Sequence, residues 1–245
     1  KEIHYVASPT ENAQARYLPQ WIRKNLTESE KETAVVLCNE SLLQPVLHSL
    51  PEDVKHVNIT MGFPLSQTPV YSFVLALLEL QINGFNPKNG RFLFEQVIAV
   101  LKHPYTRQQT TEAEALEKSL TQDNRFYPLP GELKKDEFLS HLFTPVSGIL
   151  PLTDYLLEAL QQVAVIYRKD KEKEQDEALN QLYRESLFKA YTTFGRIRTL
   201  MEEGILNIKP HTFRKLVVRI LSNLNIPFHG EPAIGLQVMG VLETR

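Results

Sequence analysis

The stretch His56–Val70, HVNITMGFPLSQTPV, constrains this chain most, because one kind of hydrophobic periodicity stops there and another begins. Val57, Ile59 and Met61 alternate with Asn58 and Thr60, the two-residue period of a short strand. Gly62 and Pro64 end it, since glycine admits backbone angles closed to other residues and proline donates nothing to a ladder. Ser66 or Thr68 is then placed to cap a helix that starts near Pro69 and buries Val70, Phe73, Val74, Leu77 and Leu78. Strands alternate with helices before this stretch. After it, nearly everything has helical periodicity until a last strand at Leu236–Val241. The pattern predicts an α/β unit interrupted by a helical block.

The first part of the chain carries three strand-like runs. Glu2–Val6 is closed by Ser8-Pro9, and Thr10 or Asn12 caps a helix through Ala13, Tyr17, Trp21 and Ile22. Thr33–Leu37 is a near-continuous apolar run, as expected of a strand covered on both faces, and Cys38 at its end reads as a small buried hydrophobe. Asn39 and Ser41 start a short helix stopped by Pro51. With Val57–Met61 this is β-α-β-α-β spacing, which favours a parallel sheet.

In the helical block, Phe92, Leu93, Val97, Ile98 and Leu101 make one stripe, ended by His103-Pro104. Thr111-x-x-Glu114 reads as a capping box opening a helix through Leu116 and Leu120. Asp123–Pro151 reads as a loop with one short helix near Glu137–Leu142. Leu156, Leu160, Val163 and Tyr167 form a third stripe, and Arg168–Glu177 is a solvated helix end or linker. A long helix through Leu182, Leu187, Phe194 and Ile197 ends at Gly204, and a last one runs from Pro210 through Phe213, Val217 and Leu221. The expected fold class is α/β plus all-α, mostly helical overall. Residues 1–69 and 226–245 form the α/β portion and 70–225 the inserted helical domain.

Several chemistries are excluded. A formal net charge of -2 provides no global attraction to nucleic acid, so such a contact must be a local patch. One cysteine rules out an internal disulfide or a cysteine-rich metal site. No window approaches the ~18 unbroken apolar residues of a membrane span. There is no phosphate loop of the G-x-x-x-x-G-K-[ST] kind and no G-x-G-x-x-G after a strand. The histidines lack metal-ligand spacing, so no metal or cofactor ligands and no catalytic residues are assigned. Glu132-Leu133-Lys134 matches the E-x-K half of a two-metal nuclease motif with Asp123 upstream, but its setting beside Pro128 and Pro130 is a loop, not paired strands. Asp53-Val54-Lys55 has no partner acid. The remaining candidates are cations on polar helix sides: Arg196, Arg198, Lys209, Arg214, Lys215 and Arg219, which together would make a phosphate-binding face.

Thr33–Pro51 (TAVVLCNESLLQPVLHSLP), Asn58–Val70 and Phe94–Tyr105 (FEQVIAVLKHPY) are together similar to helicase–nucleases of the UvrD/RecB/AddB type. There a strand and helix lead to a second strand, then a "pL…tPv" turn, then helices with an "hPy" close. Ile226–Arg245 resembles the place where the second RecA-like lobe resumes. The resemblance implies an internal piece of an AddB-like exonuclease: part of a RecA-like parallel-sheet lobe with its helical insert. Gln14 stands where such families have an acid, and Glu243-Thr244-Arg245 where helicases have A-K-G, which implies a degenerate, scaffolding lobe. ATP and magnesium would be bound elsewhere in the cytoplasmic parent, and a C-terminal PD-(D/E)XK nuclease would follow outside this chain. DNA and a helicase–nuclease partner subunit are the implied partners. Two other readings stand beside it. One is a free-standing small-molecule α/β enzyme using Asn39, Glu40 and Thr60 near Met61–Pro64. The other is a helical protein-interaction module.

Overall fold

The computed structural model describes all residues except 1–2, 26–29, 52–53, 55–56, 170–176, 227–234 and 242–245. In chain order come α1 (Glu11–Asn25), β1 (Ala34–Leu37), α2 (Leu43–Ser49), β2 (Val57–Ile59), β3 (Phe63–Pro64), α3 (Pro69–Glu79) and a π-helical turn at Leu80–Gly84. The hairpin β4 (Phe85–Asn86) and β5 (Arg91–Phe92) follows, then α4 (Phe94–Leu101), α5 (Pro104–Gln109), α6 (Glu112–Gln122), α7 (Pro130–Leu133) and α8 (Glu137–Leu142). The chain ends with α9 (Ile149–Lys169), α10 (Glu177–Glu202), α11 (Pro210–Ser222), β6 (Asn225–Ile226) and β7 (Leu236–Gly240). It is mostly helical with a small parallel sheet. Two compact units result: Lys1–Phe63 with Pro227–Arg245, and Pro64–Ile226.

In the first unit the sheet order is β1-β7-β2, and both pairings are parallel. The strand latest in the sequence is therefore the central one. Its alternation explains the position: Leu236, Val238 and Gly240 are buried, while Gln237 and Met239 are half-buried. Gln237 and Asn58 are register partners, and the Asn58 amide donates to Gln237 Oε1 at 2.6 Å, satisfying a polar pair inside the sheet. Helix α1 is opened by Thr10, whose Oγ1 accepts the Ala13 N–H at 3.1 Å, and it packs on α2.

Three expectations fail in this unit. Residues 3–6 form no strand, and Ile3, Tyr5 and Val6 are exposed; Glu2 lies outside the described residues. Strand β1 is an edge strand with Ala34 and Val36 exposed, so its apolar run does not signify cover on both faces. Cys38, just past it, is exposed rather than buried. Asp53, Lys55, His56 and the closing Glu243-Thr244-Arg245 also lie outside the described residues.

The second unit is built on α3, whose Val70, Phe73, Val74, Leu77 and Leu78 are all buried. Helices α4, α5, α10 and α11 pack against it, and α9 pairs with α10 along their length. The ends of the unit meet: the Leu65 N–H donates to the Leu224 carbonyl at 2.8 Å. Helix α10 stops at Gly204, where φ is +73°, a left-handed angle that favours glycine. Caps differ from those expected. Thr68 turns its hydroxyl back to the Leu65 carbonyl at 2.6 Å, and Thr110, not Thr111, accepts the Glu112 N–H at 3.1 Å. Glu114 forms an ion pair with Lys118 at 2.7 Å, and that hydrogen bond, then the charges of Lys118 and Arg107, hold its pKa below the usual value. Residues 123–151 contain α7 and the start of α9 as well as the expected α8. No helix among the described residues is long and apolar enough to cross a membrane.

His103-Pro104-Tyr105 is the joint between α4 and α5, with His103 and Tyr105 buried and Pro104 exposed. Nδ1 of His103 accepts the Tyr105 N–H at 3.2 Å, so the proton lies on Nε2, 3.0 Å from Ser72 Oγ. The ring packs on Phe73 at 4.9 Å between centroids. Burial lowers its pKa to about 4, opposed in part by a hydrogen bond to the Pro69 backbone.

Candidate nucleic-acid interface

The six cations singled out in the sequence are not equivalent. Arg196 and Arg198 lie two apart on α10, about 200° around a helix of 3.6 residues per turn, so they do not share a face. Arg198 donates from Nε to Asp154 of α9 at 2.6 Å and from its terminal nitrogen to Glu202 at 2.8 Å. The Asp154 hydrogen bond, then the charges of both acids, raise its pKa further, and its charge is committed to them. Arg214 turns inward to pair with Glu79 of α3, leaving its Nε buried with no partner among the described residues. Lys215 and Arg219 stand four apart on α11 and are exposed. Lys209, at the N-cap of α11, and Arg196 are exposed too. Helix α10 lies mainly along α9, and both α10 and α11 rest on α3. Four cations therefore remain open to an external anion: Arg196, Lys209, Lys215 and Arg219.

The nuclease-like acids do come near one another. Asp123, Glu132, Arg125 and Lys135 line one shallow depression of about 370 Å³ beside α6. Glu132, however, is occupied locally: its Oε2 accepts the Leu129 N–H at 2.6 Å at the start of α7, and Oε1 lies 3.7 Å from Arg125. Among the described residues, no group of three or more His, Cys, Asp or Glu side chains is arranged to hold a metal. At the carboxyl ends of the parallel strands, the Asn39 amide donates to Glu11 at 3.0 Å and its oxygen accepts from Ser41. The Glu40 carboxylate lies so close to Gly240 that a side chain there would meet it at 3.0 Å. These polar groups brace the sheet edge.

One exposed group escaped the sequence reading. In the turn between α6 and α7, where Asn124 has φ of 50°, Phe126 and Tyr127 are 59% and 56% exposed. Their backbone is held along β5: the Phe94 N–H donates to the Phe126 carbonyl and the Phe92 N–H to the Pro128 carbonyl, both at 3.0 Å. The Arg91 guanidinium donates to the Tyr127 carbonyl at 2.7 Å. The signal in the sequence was the run Arg125-Phe126-Tyr127 between Asn124 and Pro128, an adjacent aromatic pair inside turn residues.

No protein-family model matches the chain, and no curated protein matches it.

Proposed function

We propose that this chain is a non-catalytic part of an ATP-dependent DNA-repair helicase–exonuclease. It would form a section of a RecA-like lobe together with a helical insert that faces DNA or a partner subunit. The observation that carries this reading is the position of β7: it enters the middle of a parallel sheet whose other two strands precede a complete helical unit. A lobe interrupted by an insert has that connectivity. ATP and magnesium would be bound by other parts of a cytoplasmic parent. Within the insert, Arg196, Lys209, Lys215 and Arg219 are exposed cations open to phosphates.

The test has two arms. The chain with ATP, magnesium and DNA should neither hydrolyse the nucleotide nor cut the strand, and metal-dependent cleavage lost in Glu132→Gln would overturn the reading. In a salt titration of DNA binding, reversing Lys215 and Arg219 to Glu should reduce the slope of log affinity against log salt by about 0.7 to 0.9 for each phosphate no longer neutralised. An unchanged slope removes these residues from the interface.

A partner-facing role has an observation of its own. A groove of about 700 Å³ between α9 and α10 is lined by Leu160, Ala164, Val165, Leu187 and Tyr191, with Phe188 largely exposed.

A further inference from the structure

We propose that Arg125-Phe126-Tyr127 is a stacking platform for the bases of single-stranded nucleic acid. Scattered exposed apolar residues need no explanation. Two adjacent aromatic rings, each more than half exposed on a backbone fixed residue by residue, do. The Arg125 N–H donates to the Leu120 carbonyl at 3.0 Å, and residues 126 to 128 are tied to Arg91, Phe92 and Phe94. Leu129 is tied to Glu132. Phe126 rests edge-to-face on Phe94, 6.1 Å between centroids, and stays largely open to solvent. The backbone of both residues, and the Phe126 ring against Phe94, are thus held in place before any ligand arrives, so less ordering entropy opposes binding.

The surrounding charge selects the ligand. Arg125 is 58% exposed, and its pairing with Glu132 at 3.7 Å is long enough to be exchanged for a phosphate. Lys134 and Lys135 follow α7, and Lys88 lies in the hairpin turn leading to Arg91; all three lysines are exposed. Against these five cations stand Asp123 and Glu132 within the same segments and Glu112, which lines the same depression as Arg125 and Lys135. Aromatic rings interleaved with cations fit a strand whose bases are unstacked, because every base offers a π-face and every nucleotide a phosphate. A duplex hides those faces. A protein partner is the less favoured occupant: the exposed apolar residues in this turn are only Phe126, Tyr127 and Leu129, small against the ~800 Å² per side of a stable protein interface.

This inference rests on the nucleic-acid reading above but uses different residues from the α11 cations. Its test measures binding of the 245-residue chain to fluorescent oligothymidylate, and to a blunt duplex of equal length, across a salt series. Phe126→Ala and Tyr127→Ala should each weaken single-strand binding about 5- to 100-fold at constant salt slope, whereas Tyr127→Phe should keep it within about twofold. A 2-aminopurine placed in the oligonucleotide should be quenched by the wild-type chain and not by the double alanine variant. Thermal unfolding should shift little in the Tyr127 variants and only modestly in Phe126→Ala, whose ring also rests on Phe94, and far less than the loss of single-strand binding would require. If the alanine variants bind as tightly as wild type, or the duplex binds equally well, the platform is excluded. If they bind single strands normally but lose a protein partner, the loop is a protein contact and the inference fails. A flatter slope in the Lys215 and Arg219 variants with no effect at Phe126 and Tyr127 would sink the platform alone. No nucleic-acid binding by the wild-type chain at any salt would sink the platform and the phosphate-binding role of the α11 cations together.

Discussion

His103 links one buried side chain to the pH response of the second unit. Its residue is only 8% exposed, and the neutral ring is the form that both caps α5 and faces Ser72. Burial sets its folded pKa at about 4, below the ordinary 6.5 of an unfolded chain. The unfolded state therefore takes up a proton first as pH falls, so stability drops between pH 6.5 and 4 and is complete above 6.5. The full window is worth up to about 3 kcal/mol. His103→Asn keeps an acceptor for the Tyr105 N–H and cannot titrate there. Urea unfolding at about pH 7 and about pH 4.5 should show a smaller loss in the variant than in wild type. Equal losses would mean that His103 is not the linked group. The same scale separates the arginines. Composition and periodicity mark Arg198 and Arg214 as polar-face residues, yet their positive charges are matched by Asp154, Glu202 and Glu79 from other turns and helices. Sequence spacing within one helix cannot show which acid a neighbouring helix supplies.

Elements with one dominant period were legible. The apolar positions of α3 are buried as its spacing predicts, and Gly204 closes α10. Features set by competition or by place in the sheet were not. The Thr68 hydroxyl has two backbone targets within reach, and the cap loses to the Leu65 carbonyl. An apolar run such as Thr33–Leu37 reads the same at an edge as at a centre, which is why Cys38 looked buried. The π-helical turn at Leu80–Gly84 left no trace in the periodicity, although it leads directly into the hairpin that follows α3. Within it Gln81 points inward, where Nε2 donates to the Thr144 carbonyl at 3.1 Å and the Leu142 carbonyl at 3.3 Å, while Oε1 accepts the Val146 N–H at 3.1 Å. Gln81→Leu strips all three from a side chain only 7% exposed and should cost about 2–3 kcal/mol. Gly84→Ala would place a methyl group 2.9 Å from Gln96 Cβ and should cost about 1–3 kcal/mol. Chemical denaturation checks both; a loss under about 0.5 kcal/mol for Gln81→Leu would show the amide to be replaceable by water.

At the scale of the whole molecule, the sheet depends on a strand separated from its partners by an entire helical unit. Among the described residues β1 and β2 do not pair with each other; each pairs with β7. A chain ending at Ile226 therefore lacks the centre of the sheet, and both remaining strands lose their parallel partner. The helical unit has no such dependence, because its own ends are joined by the Leu65–Leu224 hydrogen bond and its core is internal to Pro64–Ile226. Insertions with adjoining ends are commonly able to fold alone. A polypeptide of residues 64–226 should accordingly unfold cooperatively, with a far-UV signal dominated by helix. The 1–226 chain should keep that same transition, while amide exchange at Val35, Leu37 and Ile59 rises to the rate of unprotected backbone. Long-range parallel pairing must wait for the end of the chain, so in refolding from denaturant these amides should become protected after those of α3 and α9. Slow exchange at Val35 and Ile59 in the 1–226 chain would show that the first unit holds together without β7, and the insertion account of the fold would fall with it.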